Sequence, residues 1–139
     1  MGFYSISAHL EEVVHKSKLA GFIIDCQTGD LQGAARFWAN ALGMPVRELP
    51  PDEAALYKGL EDAHHGLNIE VQIVSHPSRV HLDIETDDIE AEVRRLEKWG
   101  AKRLQGVHTW VVMEAPTGQR FCVVRADSKA FAEQATAWP

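Results

Sequence analysis

The sequence contains an internal repeat whose second copy follows the first at an offset of 58 residues. Four positions are identical in the two copies, since Asp25, Thr28, Asp30 and Arg36 recur as Asp83, Thr86, Asp88 and Arg94. Apolar residues match at four more, where Ile24, Leu31, Ala35 and Trp38 correspond to Leu82, Ile89, Val93 and Leu96. Because 139 residues suffice for one domain, the repeat predicts two half-size modules that share a core.

Each copy has the local pattern of a strand followed by a helix. Short apolar runs at 22–24 and 80–82 are bounded by turn-forming residues, which predicts strands. Apolar residues then recur at the spacing of one helix face until Gly43 and Gly100, which can end a helix. Three extended segments follow each helix, at 44–48, 55–59 and 69–74 and at 102–105, 109–114 and 120–125. Each copy is therefore predicted to be βαβββ.

Two segments lie outside the repeat. Residues 1–20 have a helical apolar pattern around Val13, and within 127–139 Ser128 can cap a helix that contains Phe131. We expect an N-terminal helical extension and a C-terminal tail with a helix, both packed on the domain or on a partner chain.

The composition excludes several classes of partner. The chain has 14 Lys and Arg against 20 Asp and Glu, and no basic block, so we expect no binding to nucleic acid. No apolar run approaches the roughly 18 residues that span a bilayer. Glu11, Glu12 and Lys16 interrupt the region where a signal peptide would be apolar, so we expect a cytoplasmic protein with free thiols at Cys26 and Cys122.

Several motifs together resemble a known superfamily. They are the stretches 37–44, 80–88, 100–101 and 116–118, and the final strand 121–124. In this order, with two βαβββ modules, they resemble the vicinal oxygen chelate superfamily, which includes glyoxalase I, extradiol dioxygenases and the bleomycin and fosfomycin resistance proteins. The resemblance is strongest to its glyoxalase-like domains.

This resemblance implies an α+β fold over residues 21–126, with modules 21–75 and 79–126 related by a pseudo-twofold axis. In the superfamily the modules form a cupped sheet with helices on its outer face, and small ligands bind in the cup. Its members commonly pair, so we expect a homodimer and a small-molecule ligand.

The resemblance also identifies the positions of a possible metal site. In metal-dependent members, ligands from the first and last strand of each module hold a divalent metal that acts as a Lewis acid. The corresponding residues are Ile23, either Glu70 or Gln72, His81 and Cys122. Ile23 cannot bind a metal, and Cys122 is a soft ligand that suits zinc. The alternatives are an incomplete site without a metal or cofactor, which we favour, and a zinc site of Glu70, His81 and Cys122.

His81 is the best candidate for a catalytic residue, because its mate in the first copy is Ile23 and the shared fold does not require an imidazole. Asp25 and Asp83 are equivalent, which favours a role common to both copies, such as hydrogen bonding to the strand-to-helix turn. Trp110 can line the cup and stack on a ligand, or it can fill the core.

The adjacent residues His64 and His65 are predicted to be solvated loop residues rather than a metal pair, since neighbouring side chains of a strand point in opposite directions.

Three functions follow from these patterns. The first is a small-molecule-binding domain whose mostly apolar cup is edged by Glu70 or Gln72, His81, Asp83 and Trp110; it sequesters a ligand or catalyses a reaction without a metal. The second is a zinc-dependent lyase or isomerase, or a dioxygenase-like member, that uses the zinc ligand set. The third is a protein-interaction module in which the terminal segments bind a partner and side chains fill the cup.

Overall fold

The computed structural model describes residues 14–107 and 109–139, which form nine strands and three helices. The elements of the first copy are β1 (His15–Gln27), α1 (Leu31–Leu42), β2 (Val46–Arg47), β3 (Tyr57–Leu60) and β4 (Asn68–Val74). Those of the second are β5 (Arg79–Thr86), α2 (Ile89–Lys98), β6 (Lys102–Val107), β7 (Trp110–Glu114) and β8 (Arg120–Arg125), followed by α3 (Phe131–Gln134) and β9 (Thr136–Trp138). The fold is α+β, and the predicted βαβββ order of both copies is confirmed.

Contacts divide the chain into two compact units. The first unit is Ala20–Asp83, and the second combines residues 14–19 with Ile84–Pro139. Both boundaries fall inside strands, β1 and β5, rather than in linkers. Among the described residues, no helix is long and apolar enough to cross a membrane.

The threonine and aspartate that recur in the repeat begin the two helices. Asp30 and Asp88 each accept a hydrogen bond from the amide three residues later, at 2.9 and 3.1 Å. The hydroxyls of Thr28 and Thr86 accept hydrogen bonds of 3.1 Å from the amides of these aspartates. Such bonds satisfy amides that have no partner inside the helix. Helix starts therefore account for two of the four identities in the repeat.

In the first unit the strands pair in the order β2, β3, β4, β1, with β1 parallel to β4 and the other pairs antiparallel. Ile24 lies opposite Val71, so both side chains project from the same face. Together with Leu60 and Ile69 they form a buried cluster against which Trp38 of α1 packs. The apolar stripe of α1 therefore covers one face of this sheet and leaves the other face to different side chains.

Gly21 of β1 packs directly against the backbone of β4. A Cβ atom at this position would be 1.9 Å from the carbonyl oxygen of Asn68, the residue with which Gly21 pairs. Because such contacts do not occur, a larger residue would separate the two strands.

The second unit has its own core beneath α2. Val93 of this helix is fully buried with Val111 and Met113 of β7 and with Phe121 and Val123 of β8. The strands β6, β7 and β8 pair antiparallel in chain order.

The two ends of the described chain meet within the second unit. Residues 15–17 pair antiparallel with residues 136–138, so the C-terminal tail contains the short helix α3 and then a strand. The predicted helical extension over 1–20 is wrong for residues 15–20, which are strand, and residues 1–13 lie outside the described part of the chain. The sequence pattern did not predict this strand because His15 and Ser17 are polar residues in buried positions, where apolar residues are expected.

Candidate functional site

Polar side chains gather on the face of the first unit's sheet that is opposite its core, which we call the polar face. Ile23 pairs with Glu70 and Asp25 pairs with Gln72, and all four positions alternate with the core positions of β1 and β4. Tyr57 of β3 lies opposite Gln72 and extends the same face. The choice between Glu70 and Gln72 that the sequence left open therefore does not change the face, which contains both.

His81 of β5 lies between two carboxylates. Its Nδ1 is 2.7 Å from Oδ2 of Asp25, and its Nε2 is 3.5 Å from Oδ1 of Asp83. The side chains of His81 and Asp83 are only 15% and 14% exposed, and Asp25 is buried. Because a short contact with a carboxylate requires a proton on Nδ1, the neutral ring presents Nε2 as its basic atom towards Asp83.

Asp83 is held in an environment that favours its protonated form. Burial raises the pKa of Asp83 from 3.8 to about 7, against the opposing effect of His81, and the nearby carboxylates of Glu70 and Asp25 raise this pKa further. Its Oδ1 is buried and accepts no hydrogen bond from the described residues. Near neutral pH, Asp83 can therefore either give or accept a proton beside His81.

The role predicted for the repeated aspartates is wrong for Asp25. Its Oδ2 accepts the hydrogen bond of His81 and lies 3.9 Å from Nε of Arg79, whereas Thr28 and Asp30 hold the strand-to-helix turn. The sequence symmetry misled the prediction because it does not show that β5 brings His81 beside Asp25.

Two further hydrogen-bonded groups order the polar face. Asn68 donates a 3.0 Å hydrogen bond to Glu70, and Arg47 donates one of 3.1 Å to Asn68. Gln72 donates a 2.8 Å hydrogen bond to the hydroxyl of Tyr57. Sequence reasoning missed the roles of Arg47, Tyr57 and Asn68; the alternation of β3 was the signal for Tyr57, but the strand has only four residues.

Trp110 and Cys122 belong to the second unit. The core of that unit uses the alternate positions of β7 and β8, so Trp110 and Cys122 project from the opposite face. Cys122 lies opposite Val112 in this strand pair and is partly buried. Trp110 is partly buried and is not a member of the core cluster of the second unit.

The positions implied for a metal do not form a complete ligand set. Ile23 is 3% exposed and lies in register with Glu70, where its side chain supplies no ligand atom. The carboxylate of Glu70 accepts a hydrogen bond from Asn68. The donor chemistry of this face therefore does not fit a site that takes a ligand from the first strand.

His64 and His65 lie in a turn that Asp62 organises. One carboxylate oxygen of Asp62 accepts the amides of both histidines at 3.1 and 3.2 Å, and the other accepts the amide of Leu67 at 3.0 Å. These bonds, that of Leu67 above all, lower the pKa of Asp62 to about 2. The side chain of His65 is 70% exposed, in agreement with a solvated loop.

Comparisons with known proteins agree with this fold. Residues 21–124 match the family of glyoxalase-like domains. A hypothetical protein from Bacillus halodurans is similar in structure at 15% identity, with a TM-score of 0.58, over 82% of this chain and 97% of that chain. Methylmalonyl-CoA epimerase from Mycobacterium tuberculosis is similar at 18% identity, with a TM-score of 0.54, over 82% of this chain and 91% of that chain.

At these identities the structural likeness concerns the fold alone. No curated protein matches the sequence. The family match nevertheless covers most of the chain and includes both βαβββ modules. This chain therefore belongs to the family of glyoxalase-like domains, as the sequence motifs predicted.

Proposed function

We propose that this protein binds a small, oxygen-bearing molecule on the polar face of its first unit and moves a proton on that molecule without a metal. One observation carries the proposal: His81 is bonded to the buried Asp25 through one ring nitrogen and faces Asp83 with the other. A histidine oriented by a carboxylate, next to a second group that titrates near neutral pH, is typical of general acid-base sites.

The residues of the polar face can divide the work as follows. Asp25 fixes the ring of His81 and stabilises the charge that the ring acquires when Nε2 accepts a proton. A ligand with an acidic C–H next to a carbonyl can lose that proton to Nε2, while the acid form of Asp83 gives its own proton to the carbonyl oxygen. In a ligand with a hydroxyl on the carbon that lost its proton, Asp83 then takes the proton of that hydroxyl while Nε2 gives its proton to the former carbonyl carbon. Both residues are restored and an isomer is released, so the step needs no other reactant.

The alternatives are less well supported. A zinc enzyme would have to draw its ligands from Glu70, His81 and Cys122 alone, and the carboxylate of Glu70 already accepts a hydrogen bond from Asn68. A protein-interaction module would use the terminal segments, but the described tail is bound inside its own unit, where Trp138 pairs with β1 and stacks on Arg95 at 3.8 Å.

A thermal-shift screen of small hydroxy and oxo compounds tests the proposal, because a ligand that binds the native state raises the unfolding midpoint. We expect compounds that stabilise the wild-type protein and lose this effect in His81→Gln. His65→Gln is the matched control, because that side chain is exposed and lies outside the polar face. A compound set that stabilises all three proteins equally would contradict the assigned site.

Elemental analysis of protein purified without a chelator separates the metal-free site from the zinc alternative. About one zinc per chain would favour the zinc enzyme. Light scattering on the same sample tests the homodimer that we also propose.

A further inference from the structure

A concave surface in the first unit lies on the opposite side of the sheet from the polar face. It is an open cleft of about 590 Å³ between α1 and the strands β2 and β3. Lys58 lines the cleft and pairs with Val71, a core residue, which places the cleft on the helix side. Ala35, Ala39 and Met44 also line it and give it an apolar floor. Its volume is in the range of small-molecule sites.

The cleft carries an unbalanced positive charge. Lys58, whose side chain is 14% exposed, forms an ion pair with Glu48 at 2.7 and 2.9 Å. Arg36 lines the same cleft, is exposed, and has no ion-pair partner among residues 14–107 and 109–139. It is the only charged residue of α1. The guanidinium of Arg36 is therefore available to an anion, and its planar donors suit a carboxylate.

The repeat provides an internal comparison for this arginine. Arg94 of α2 corresponds to Arg36, and Glu90, one turn before Arg94, corresponds to Gln32. The pKa of Glu90 is lowered mainly by its hydrogen bond with Arg103 and to a smaller extent by the charge of Arg94, so in the second copy a carboxylate lies near the equivalent arginine. In the first copy the equivalent position is the neutral Gln32, which lines the cleft. The charge of Arg36 is therefore not needed for an ion pair within its own helix.

We propose that this cleft binds an organic anion, a carboxylate with a short apolar chain. Its carboxylate pairs with Arg36, and its chain covers the apolar surface of Met44, Pro45 and Val46 that lines the cleft. This site is separate from the polar face, and its occupancy does not depend on the function proposed above.

Titration of the full chain with octanoate, followed by backbone amide NMR spectra, tests the proposal. We expect saturable shifts of amides in α1, β2 and β3, and weaker or no binding of octanol, which has the same chain without the charge. Arg36→Gln is expected to weaken octanoate binding at least about fivefold. Gln32→Glu places in α1 the carboxylate that α2 has at the equivalent position, and it should also weaken octanoate binding.

Arg94→Gln is the matched control, because it removes the equivalent charge from the other copy, and its octanoate affinity should equal that of the wild type. Unchanged affinity in Arg36→Gln would overturn the proposal, as would the absence of saturable shifts in α1 and β2 up to about 10 mM octanoate. Both arginines are exposed, so loss of folding does not confound the comparison.

Discussion

The imidazole of His81 and the buried carboxylate of Asp25 are joined by a 2.7 Å hydrogen bond between adjacent strands of the first unit. This bond fixes the ring on the polar face and supplies a compensating charge where solvent cannot. Asp25 therefore acts as a positioning residue for His81.

Replacing Asp25 tests this relationship. Asp25→Ala leaves the largely covered imidazole without its acceptor and is expected to lower the free energy of unfolding by about 2–4 kcal/mol. Asp25→Asn keeps an acceptor oxygen and should cost much less. Urea unfolding measures both values, and the nitrogen chemical shifts of the His81 ring report which atom carries the proton. Equal stability of the alanine variant and the wild type would show that the bond does not hold the ring.

The raised pKa of Asp83 leads us to expect an unusual dependence of stability on pH. Its folded pKa of about 7 lies above its ordinary value of 3.8, so the folded state keeps a proton that the unfolded state has lost. The free energy of unfolding should therefore fall as the pH rises from about 4 to about 7, by up to a few kcal/mol from this group. Asp83→Asn cannot lose a proton and should lack this component in urea titrations at a series of pH values. An identical pH profile in the two proteins would mean that Asp83 is ionised throughout.

The lowered pKa of Asp62 leads us to expect the opposite dependence of stability on pH. Its pKa of about 2 lies below the ordinary value of 3.8, so its contribution is present above about pH 4 and is lost as the pH falls through about 2. Asp62→Ala should be less stable than the wild type at pH 6, and the difference should shrink towards pH 2. Asp52→Ala, an exposed aspartate in the same segment, is the control and should show little change at either pH.

Substitution of Ile23 by a metal-binding residue is expected to create a metal site on the polar face. Ile23→His places an imidazole opposite Glu70, on the face that also holds His81, and two imidazoles with one carboxylate can bind zinc or nickel. Calorimetric titration with Ni²⁺ should show tighter binding to this variant than to the wild type, while Ile23→Asn should show no gain. Failure of the histidine variant to gain affinity would indicate that Glu70 does not turn towards position 23.

Local pattern was sufficient for most of the fold. The apolar spacing of α1 and α2 and the glycines that follow them predicted both helices, because burial of one stripe determines that spacing. The start of β1 was missed because His15 and Ser17 are polar residues in buried positions, a choice that depends on distant partners. His15 bonds Glu92, and Ser17 accepts from Trp138.

The candidate site was only partly predictable. Alternation along β4 placed Glu70 and Gln72 on one face, and the asymmetry of the repeat singled out His81. The role of Asp25 and the presence of Arg79 beside it depend on which strand lies next to β1, and a local pattern does not determine long-range pairing. Tyr57 was missed for a different reason, since its short strand follows a segment rich in turn residues.

Because β1 and β4 lie close together at Gly21, the arrangement of side chains on the polar face depends on the absence of a side chain at position 21. A side chain at position 21 would force apart the β1 segment that presents Asp25 and the β4 segment that presents Glu70. In a library of random variants, substitutions at position 21 are therefore expected to lower the yield of folded protein and to disturb the order of Asp25 and Glu70 in the same clones, although Gly21 has no side chain of its own on the polar face.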